Sequence, residues 1–135
     1  MSENGIESIA SRHSVKDTID RLAAVAEEAG LRIFARIDHA QNAAQVGLDL
    51  RPTEVLIFGN AKVGTPLMLD NQLAGLDLPL RALAWEDEAG HVWLGHNTGE
   101  WLSKRHSLGA QSAGSLAAMS SGLEKLCAKA AEGSQ

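Results

Sequence analysis

A change of hydrophobic period at Gly30 constrains the fold of this chain more than any other feature. Before it, Val15, Ile19, Leu22, Ala26 and Ala29 recur at helical spacing, with Lys16, Asp17, Asp20, Arg21, Glu27 and Glu28 on the other side. Ser14, with Asp17 three residues on, reads as the N-cap of that helix, and Gly30 as its stop. After Gly30 the period becomes two. Leu31, Ile33, Ala35 and Ile37 alternate with Arg32, Phe34, Arg36 and Asp38, the pattern of a half-buried strand.

The rest of the chain extends this frame. Ile6 to Ala10 reads as a short first strand. Asp38 is placed to cap a short helix over His39 to Val46, ended by Gly47. Glu54 to Phe58 is apolar on both faces from Val55 onward, so it belongs inside the sheet rather than at its edge. Thr65 and Pro66 have the chemistry of an N-cap and first-turn proline for a helix to about Leu73, with Gly75 and Pro79 bracketing an extended passage. Leu80 to Glu86 and His91 to Asn97 form a hairpin about Asp87-Glu88-Ala89-Gly90. Thr98-Gly99-Glu100 starts a short helix. A long last helix from about Gln111 to Ala131 sets Leu116, Met119, Leu123, Leu126 and Ala130 on one face. Strands in a run between two long helices predict an α+β fold, β-α-β4-α, with an antiparallel sheet against the long helices and short helical excursions between strands. The 135 residues, 44% hydrophobic and 21% charged, fit one domain over residues 1–135 with a frayed tail from about 132 to 135.

Charge and cysteine content narrow the function classes. The net charge of −5 and the lack of a Lys/Arg run argue against nucleic acid, whose phosphates need a concentrated basic face. One cysteine, Cys127, cannot form an intrachain disulfide or a multi-thiolate zinc site. His13, His39, His91, His96 and His106 lack metal-site spacing, so neither a metal nor a cofactor is expected. No basic-then-apolar leader opens the sequence, and no run of about 20 apolar residues occurs, so the expectation is a cytoplasmic protein without a membrane partner.

Two places carry candidate chemistry. Gly59-Asn60-Ala61-Lys62-Val63-Gly64-Thr65 lies between a buried strand and a helix start, where free amides and the helix dipole favour an anion. It is not a nucleotide-binding P-loop, because Gly64 is followed by Thr65-Pro66 instead of Lys-Ser/Thr. Asp38-His39 at a strand end is an acid/base candidate, with the plainer alternative that Asp38 caps a helix. Asp77 before Leu78-Pro79 is either a loop anchor through backbone N–H groups or a functional acid. Trp85 and Trp93 flank the hairpin turn and should pack across it. Gly114, Ala118 and Gly122 give the last helix a small-residue face.

The ordered motifs Ile37-Asp38-His39-Ala40, Gly47-Leu48-Asp49-Leu50-Arg51-Pro52-Thr53-Glu54-Val55, Ile57-Phe58-Gly59-Asn60, Gly64-Thr65-Pro66-Leu67-Met68, Leu76-Asp77-Leu78-Pro79-Leu80-Arg81 and Trp85-Glu86-Asp87 closely resemble the domain of unknown function 302 family over nearly the whole chain. Ala61 departs from the proline common after the Asn, and Gly95-His96-Asn97-Thr98 from a usual Tyr-Asn pair. The resemblance implies a fold similar to the TATA-binding protein and homodimers, and it brings no substrate, cofactor or catalytic residue. The leading expectation is therefore a non-catalytic module that binds a small anionic ligand or a partner protein through residues 59–65. Its site residues would be Arg51, Gly59, Asn60, Lys62, Gly64, Thr65 and Asp77, with Asp38 and His39 near the mouth. The alternatives are a small enzyme using Asp38 and His39 as an acid/base pair, and a structural homodimer.

Overall fold

A computed structural model describes residues 4–132; of the tail expected to fray, 133–135 lie outside the described residues. Strand β1 (Ile6–Ser11) leads through a turn to helix α1 (Val15–Glu28), whose N-terminus is closed by Ser14, its side chain accepting from the Asp17 N–H at 3.0 Å. At the other end Gly30 takes φ +85°. The Gly30 N–H then reaches Glu27 O and the Leu31 N–H reaches Ala26 O, the paired bonds of a Schellman cap. That cap turns the chain straight into β2 (Arg32–Asp38), as the change of period requires.

A short helix α2 (His39–Gln45) connects β2 to β3 (Thr53–Gly59), and α3 (Ala61–Asp70) follows β3 directly. The hairpin is β4 (Leu80–Glu86) and β5 (Val92–Asn97), and the chain closes with α4 (Gly99–His106) and α5 (Ala113–Ala131). The sheet order is β1-β5-β4-β3-β2, with every neighbouring pair antiparallel. This is the expected α+β architecture. β3 is an interior strand, as its two apolar faces demanded.

Leu56 and Phe58 of β3, Ala82 and Ala84 of β4 and Leu94 of β5 are fully buried against α1 and α5. From α1 come Val15, Ile19, Leu22 and Ala26, and from α5 Leu123, Cys127 and Ala130. Ala29, expected on the apolar face of α1, is instead exposed, because it is already the C-cap residue and lies past the last core turn. Each large aliphatic side chain so buried contributes roughly 1.5–3 kcal/mol. The opposite face of the sheet carries Val55, Ile57, Leu83, Trp85 and Trp93, all half-buried. Trp85 and Trp93 stand directly opposite each other, as expected. Gly95 next to them leaves room for the Trp85 ring, which a Cβ there would approach to 3.1 Å.

Simple alternation fails in β2. The register runs Ile33 opposite Phe58, then Ala35 opposite Ile57, so Phe34 is an extra, bulged residue. Opposed residues of an antiparallel pair share a face. Ile33 and Arg36 therefore turn toward the helices, while Ala35 and Ile37 turn to the other face. Arg36 accordingly reaches α1: it donates to Asp20 Oδ1 at 2.6 Å and to Glu54 Oε1 at 2.9 Å. The Arg36 bond first, and then a bond from Lys16 Nζ at 3.0 Å, hold the Asp20 carboxyl below its ordinary range.

Two further sequence expectations are corrected around α3. The helix starts at Ala61, not after Thr65, because Asn60 in extended conformation accepts the Lys62 N–H at 2.9 Å and caps it five residues earlier. Pro66 thus lies inside the helix, where it leaves the Lys62 carbonyl without its usual N–H. The helix ends at Asp70, and residues Gln72–Asp77 form a 3₁₀ helix rather than an extended passage, because Asn71 Oδ1 caps that turn by accepting from the Leu73 N–H at 3.1 Å. α5 begins two residues later than expected, after a 3₁₀ turn at Ala110–Ser112.

The hairpin turn is tied by Asp87. Its carboxylate accepts from the Trp93 indole at 2.9 Å, and from the amides of His91 and Ala89, which lowers its pKa below the ordinary 3.8. A carboxyl depressed in the folded state stabilises fully above its ordinary value and loses that contribution as pH falls through the lower folded value. Asp87→Ala should therefore lower stability to urea at about pH 7, and its deficit relative to the parent should shrink on acidification below about pH 3.8. A deficit independent of pH would show that the carboxylate's charge does not contribute.

Candidate functional site

Antiparallel pairing decides which candidate residues meet. β2 ends at Asp38, opposite Glu54 near the start of β3, whereas Gly59 at the end of β3 stands opposite Arg32 at the start of β2. The two strand ends that carried candidate chemistry therefore lie at opposite edges of the sheet, separated by a seven-residue strand. At the usual rise that is about 20 Å.

At the first edge Asp38 caps α2, its Oδ1 accepting from the Gln41 N–H at 2.9 Å. His39 is exposed on the first turn, and no hydrogen bond joins it to Asp38 among the described residues. Arg51 lies at the same edge and donates to Glu86 O at 3.1 Å. The arrangement is a helix cap beside a loop tether. An acid/base dyad would need the imidazole within hydrogen-bond reach of the carboxylate.

At the opposite edge Gly59, Asn60, Gly64 and Thr65 line one wall of a cavity of about 280 Å³. Its other walls are Leu31 and Phe34 of the β2 edge, Leu78, Pro79 and Leu80 entering β4, and Ala118, Met119, Gly122, Leu123 and Leu126 of α5. Among the lining residues only Asn60 and Thr65 have polar side chains. Lys62 is exposed on the first turn of α3 and does not line the cavity. The helix-start amides expected to meet an anion are already committed: Lys62 N–H to Asn60 Oδ1, and the Val63 and Gly64 N–H groups to Asn60 O.

The cavity exists because small residues stand where large ones would fill it. A Cβ added at Gly122 would meet nothing within 4 Å. The small-residue face of α5 is also used nearby for close helix contact, where Gly99 of α4 packs against Ser120. The sequence signal for the cavity wall was thus Ala118 and Gly122, four residues apart. Arg32 and Phe34 carried no such signal, since the bulge that presents Phe34 is invisible in a period-two pattern. Phe34 is 48% exposed, and the Arg32 guanidinium lies 4.9 Å from the centre of its ring.

Asp77 joins neither edge. It is the anchor of a clamp beneath the cavity, through side chains rather than the backbone N–H groups expected. His106 Nε2 lies 2.6 Å from Asp77 Oδ2, and Arg105 Nε lies 3.3 Å from the same oxygen. His106 is buried, and its carbonyl accepts from Asn71 Nδ2 at 2.6 Å. One residue earlier, Asp70 Oδ2 accepts from the Gly109 N–H and the Ser112 hydroxyl, contacts that lower its pKa. These bonds fasten the end of α3 to α4 and to the start of α5 around Leu67, Ala74, Leu102 and Met119. The closest Asp–His pair among the described residues is therefore Asp77 with His106, residues too distant in sequence for adjacency to reveal.

No group of three or more His, Cys, Asp or Glu residues suited to a metal occurs among the described residues. Cys127 is buried, and desolvation pushes its thiol up to about 12, which makes it inert as a nucleophile at neutral pH.

The family model for Domain of unknown function DUF302 matches residues 7–126. The chain belongs to the DUF302 family. A solved DUF302 protein, an uncharacterized conserved protein from Bacillus stearothermophilus, superposes with a TM-score of 0.73 at 18% identity, over 94% of this chain and 95% of that one. At that identity the likeness is one of fold. Among curated proteins, this DUF302 chain is 51% identical over 120 residues to "Fluoride-specific ion channel FluC 1" of Brucella suis, covering 89% of this chain and 47% of that protein. The same identity is found with "Fluoride-specific ion channel FluC 1" of Brucella abortus and "Fluoride-specific ion channel FluC 2" of Brucella melitensis, at 44% of each. The chain spans under half the length of the curated relatives it matches. No helix among the described residues is long and apolar enough to cross a membrane.

The clamp and the Asn60 cap can be separated by stability measurements. Asn60→Ala should cost about 1 kcal/mol as the loss of a helix cap. His106→Ala should cost more, about 2–3 kcal/mol, because it removes a buried ring and its contact with Asp77, while the His106 carbonyl keeps its bond from Asn71. Urea unfolding of the two variants checks the order; a His106 variant as stable as the parent would show that the clamp contributes nothing.

Proposed function

We propose that this DUF302 chain is a non-catalytic binding module whose ligand site is the apolar cavity behind residues 59–65. One observation carries the reading: a space of about 280 Å³ among well-packed elements, walled by apolar side chains and kept open by Gly122 and Ala118. The space is a groove open to solvent on one side, with Phe34 and Ala118 exposed, and ligand sites are likewise concave, largely apolar and supplied with a few polar groups. The expectation of a small anionic ligand or a partner protein is narrowed here to a ligand with an apolar body, because Lys62 does not line the cavity and the Lys62, Val63 and Gly64 amides are already hydrogen-bonded. Against the acid/base reading stand the lack of a hydrogen bond between Asp38 and His39 among the described residues and their distance from the cavity.

The Brucella relatives supply a setting. Their printed names describe fluoride channels, and the part similar to this chain is less than half of each. We assign conduction to the remaining part of those proteins, and to the matched part a binding role that accompanies it. Self-association is the second reading, favoured by the half-buried apolar sheet face bearing Val55, Ile57, Leu83, Trp85 and Trp93.

Filling the cavity tests the main reading. Gly122→Leu should leave the fold intact and raise stability by about 1 kcal/mol, because leucine is the better helix former and space is open beside it. The same variant should lose binding of a neutral naphthalene fluorophore that brightens in apolar sites. Unchanged fluorophore binding would place any ligand elsewhere. For self-association, light scattering after size exclusion should give twice the chain mass, and Trp93→Glu should return it to one; a monomer at every concentration counts against that reading.

A further inference from the structure

The cavity is apolar within, and one cation, Arg32, does not line it but stacks on a residue that does. Phe34, displaced outward by the bulge in β2, both lines the cavity and carries the Arg32 guanidinium 4.9 Å from its ring centre. Arg32 has no carboxylate partner among the described residues, in contrast to Arg36, which pairs with Asp20 and Glu54, and to Arg105, which pairs with Asp77. Its stacking on Phe34 restrains the side chain, so the guanidinium's planar fork is oriented in advance for two-point contact with a carboxylate. A second donor is close by in the fold, because Arg32 pairs with Gly59, the residue before Asn60. The Asn60 amide oxygen is occupied by the Lys62 N–H, which leaves its Nδ2 group to donate at the cavity wall.

We propose that the cavity takes a medium-chain monocarboxylate, its hydrocarbon chain between Met68, Leu78, Met119 and Leu126 and its carboxylate at the rim against Arg32. The inference rests on the binding reading above and adds the head group. The charge count selects a monoanion: neither Arg32 nor Lys62 lines the cavity, but Arg32 stacks on Phe34, which does, and a chain of net charge −5 disfavours a polyanion. Volume selects the tail. At about 280 Å³ the space lies at the small end of ligand sites, below what a folded peptide or a sterol-sized body requires.

The test is calorimetric titration with sodium octanoate and with 1-octanol, which share a chain and differ in the head group. In the parent protein octanoate should bind at least about tenfold more tightly than octanol, since a charge-assisted pair adds to equal chain burial. Shortening to hexanoate should weaken binding by about fourfold for each methylene removed. Arg32→Gln, a change on an exposed strand edge, should bring octanoate to the level of octanol and leave octanol itself unchanged. Gly122→Leu should abolish both, with Ala118→Leu as the substitute if that variant does not fold. Equal affinities for the two probes in the parent, or octanoate binding indifferent to Arg32→Gln, would overturn the carboxylate assignment while leaving the cavity as a binding site. Binding of neither probe to the parent would overturn both. A dissociation constant unaffected by either filling variant would locate the site elsewhere and overturn both as well.

Discussion

Antiparallel pairing of β3 with both of its neighbours is the constraint on which the rest of this structure depends. It places Leu56 and Phe58 under α1 and α5, where they form the centre of the core. It also sends the end of β3 to one edge of the sheet and the end of β2 to the other. In a parallel sheet the C-terminal ends of successive strands share an edge, and ligand sites collect there. In this sheet they cannot, so Asp38-His39 and Gly59-Asn60 serve different local purposes: one caps α2, and the other caps α3 and walls a cavity.

The bulge at Phe34 is the second decisive feature, and it acts twice. By inserting one residue it turns Arg36 toward α1, where the guanidinium bridges Asp20 and the buried Glu54. Burial by itself disfavours the charged guanidinium, yet the two carboxylates outweigh it and raise the Arg36 pKa. By leaving Phe34 unpaired, the bulge also puts an aromatic ring and its stacked Arg32 at the rim of the cavity. A one-residue irregularity at an edge strand thus ties the sheet to its helix and shapes the candidate site.

One side of that site is held by the clamp at Asp77. Asp70, Asn71 and Asp77 follow one another along the end of α3 and the 3₁₀ turn, and each bonds to α4 or to the approach to α5. The buried His106 is best understood through this role. It ties α4 to the 3₁₀ turn that leads into Leu78, while Asp70 ties the end of α3 to the approach to α5. The curated relatives extend well beyond the matched segment.

Much of this fold was legible in the residues alone. The change of period at Gly30, the Ser14 cap, the interior apolar run of β3 and the Trp85–Trp93 hairpin are local patterns, each set by the spacing of side chains along one element. The family resemblance rested on the same ordered motifs. What the sequence could not determine was which element ends come together, because that depends on strand direction and register, properties of pairs rather than of segments. Asn60 prevailed over Thr65 as a cap only once β3 had fixed where the chain leaves the sheet. Asp77 found His106 rather than a backbone amide because α4 folds back over the 3₁₀ turn. The cavity, with Gly122 on one wall and Phe34 on another, is made of contacts between residues nearly ninety positions apart, and only tertiary packing could create it.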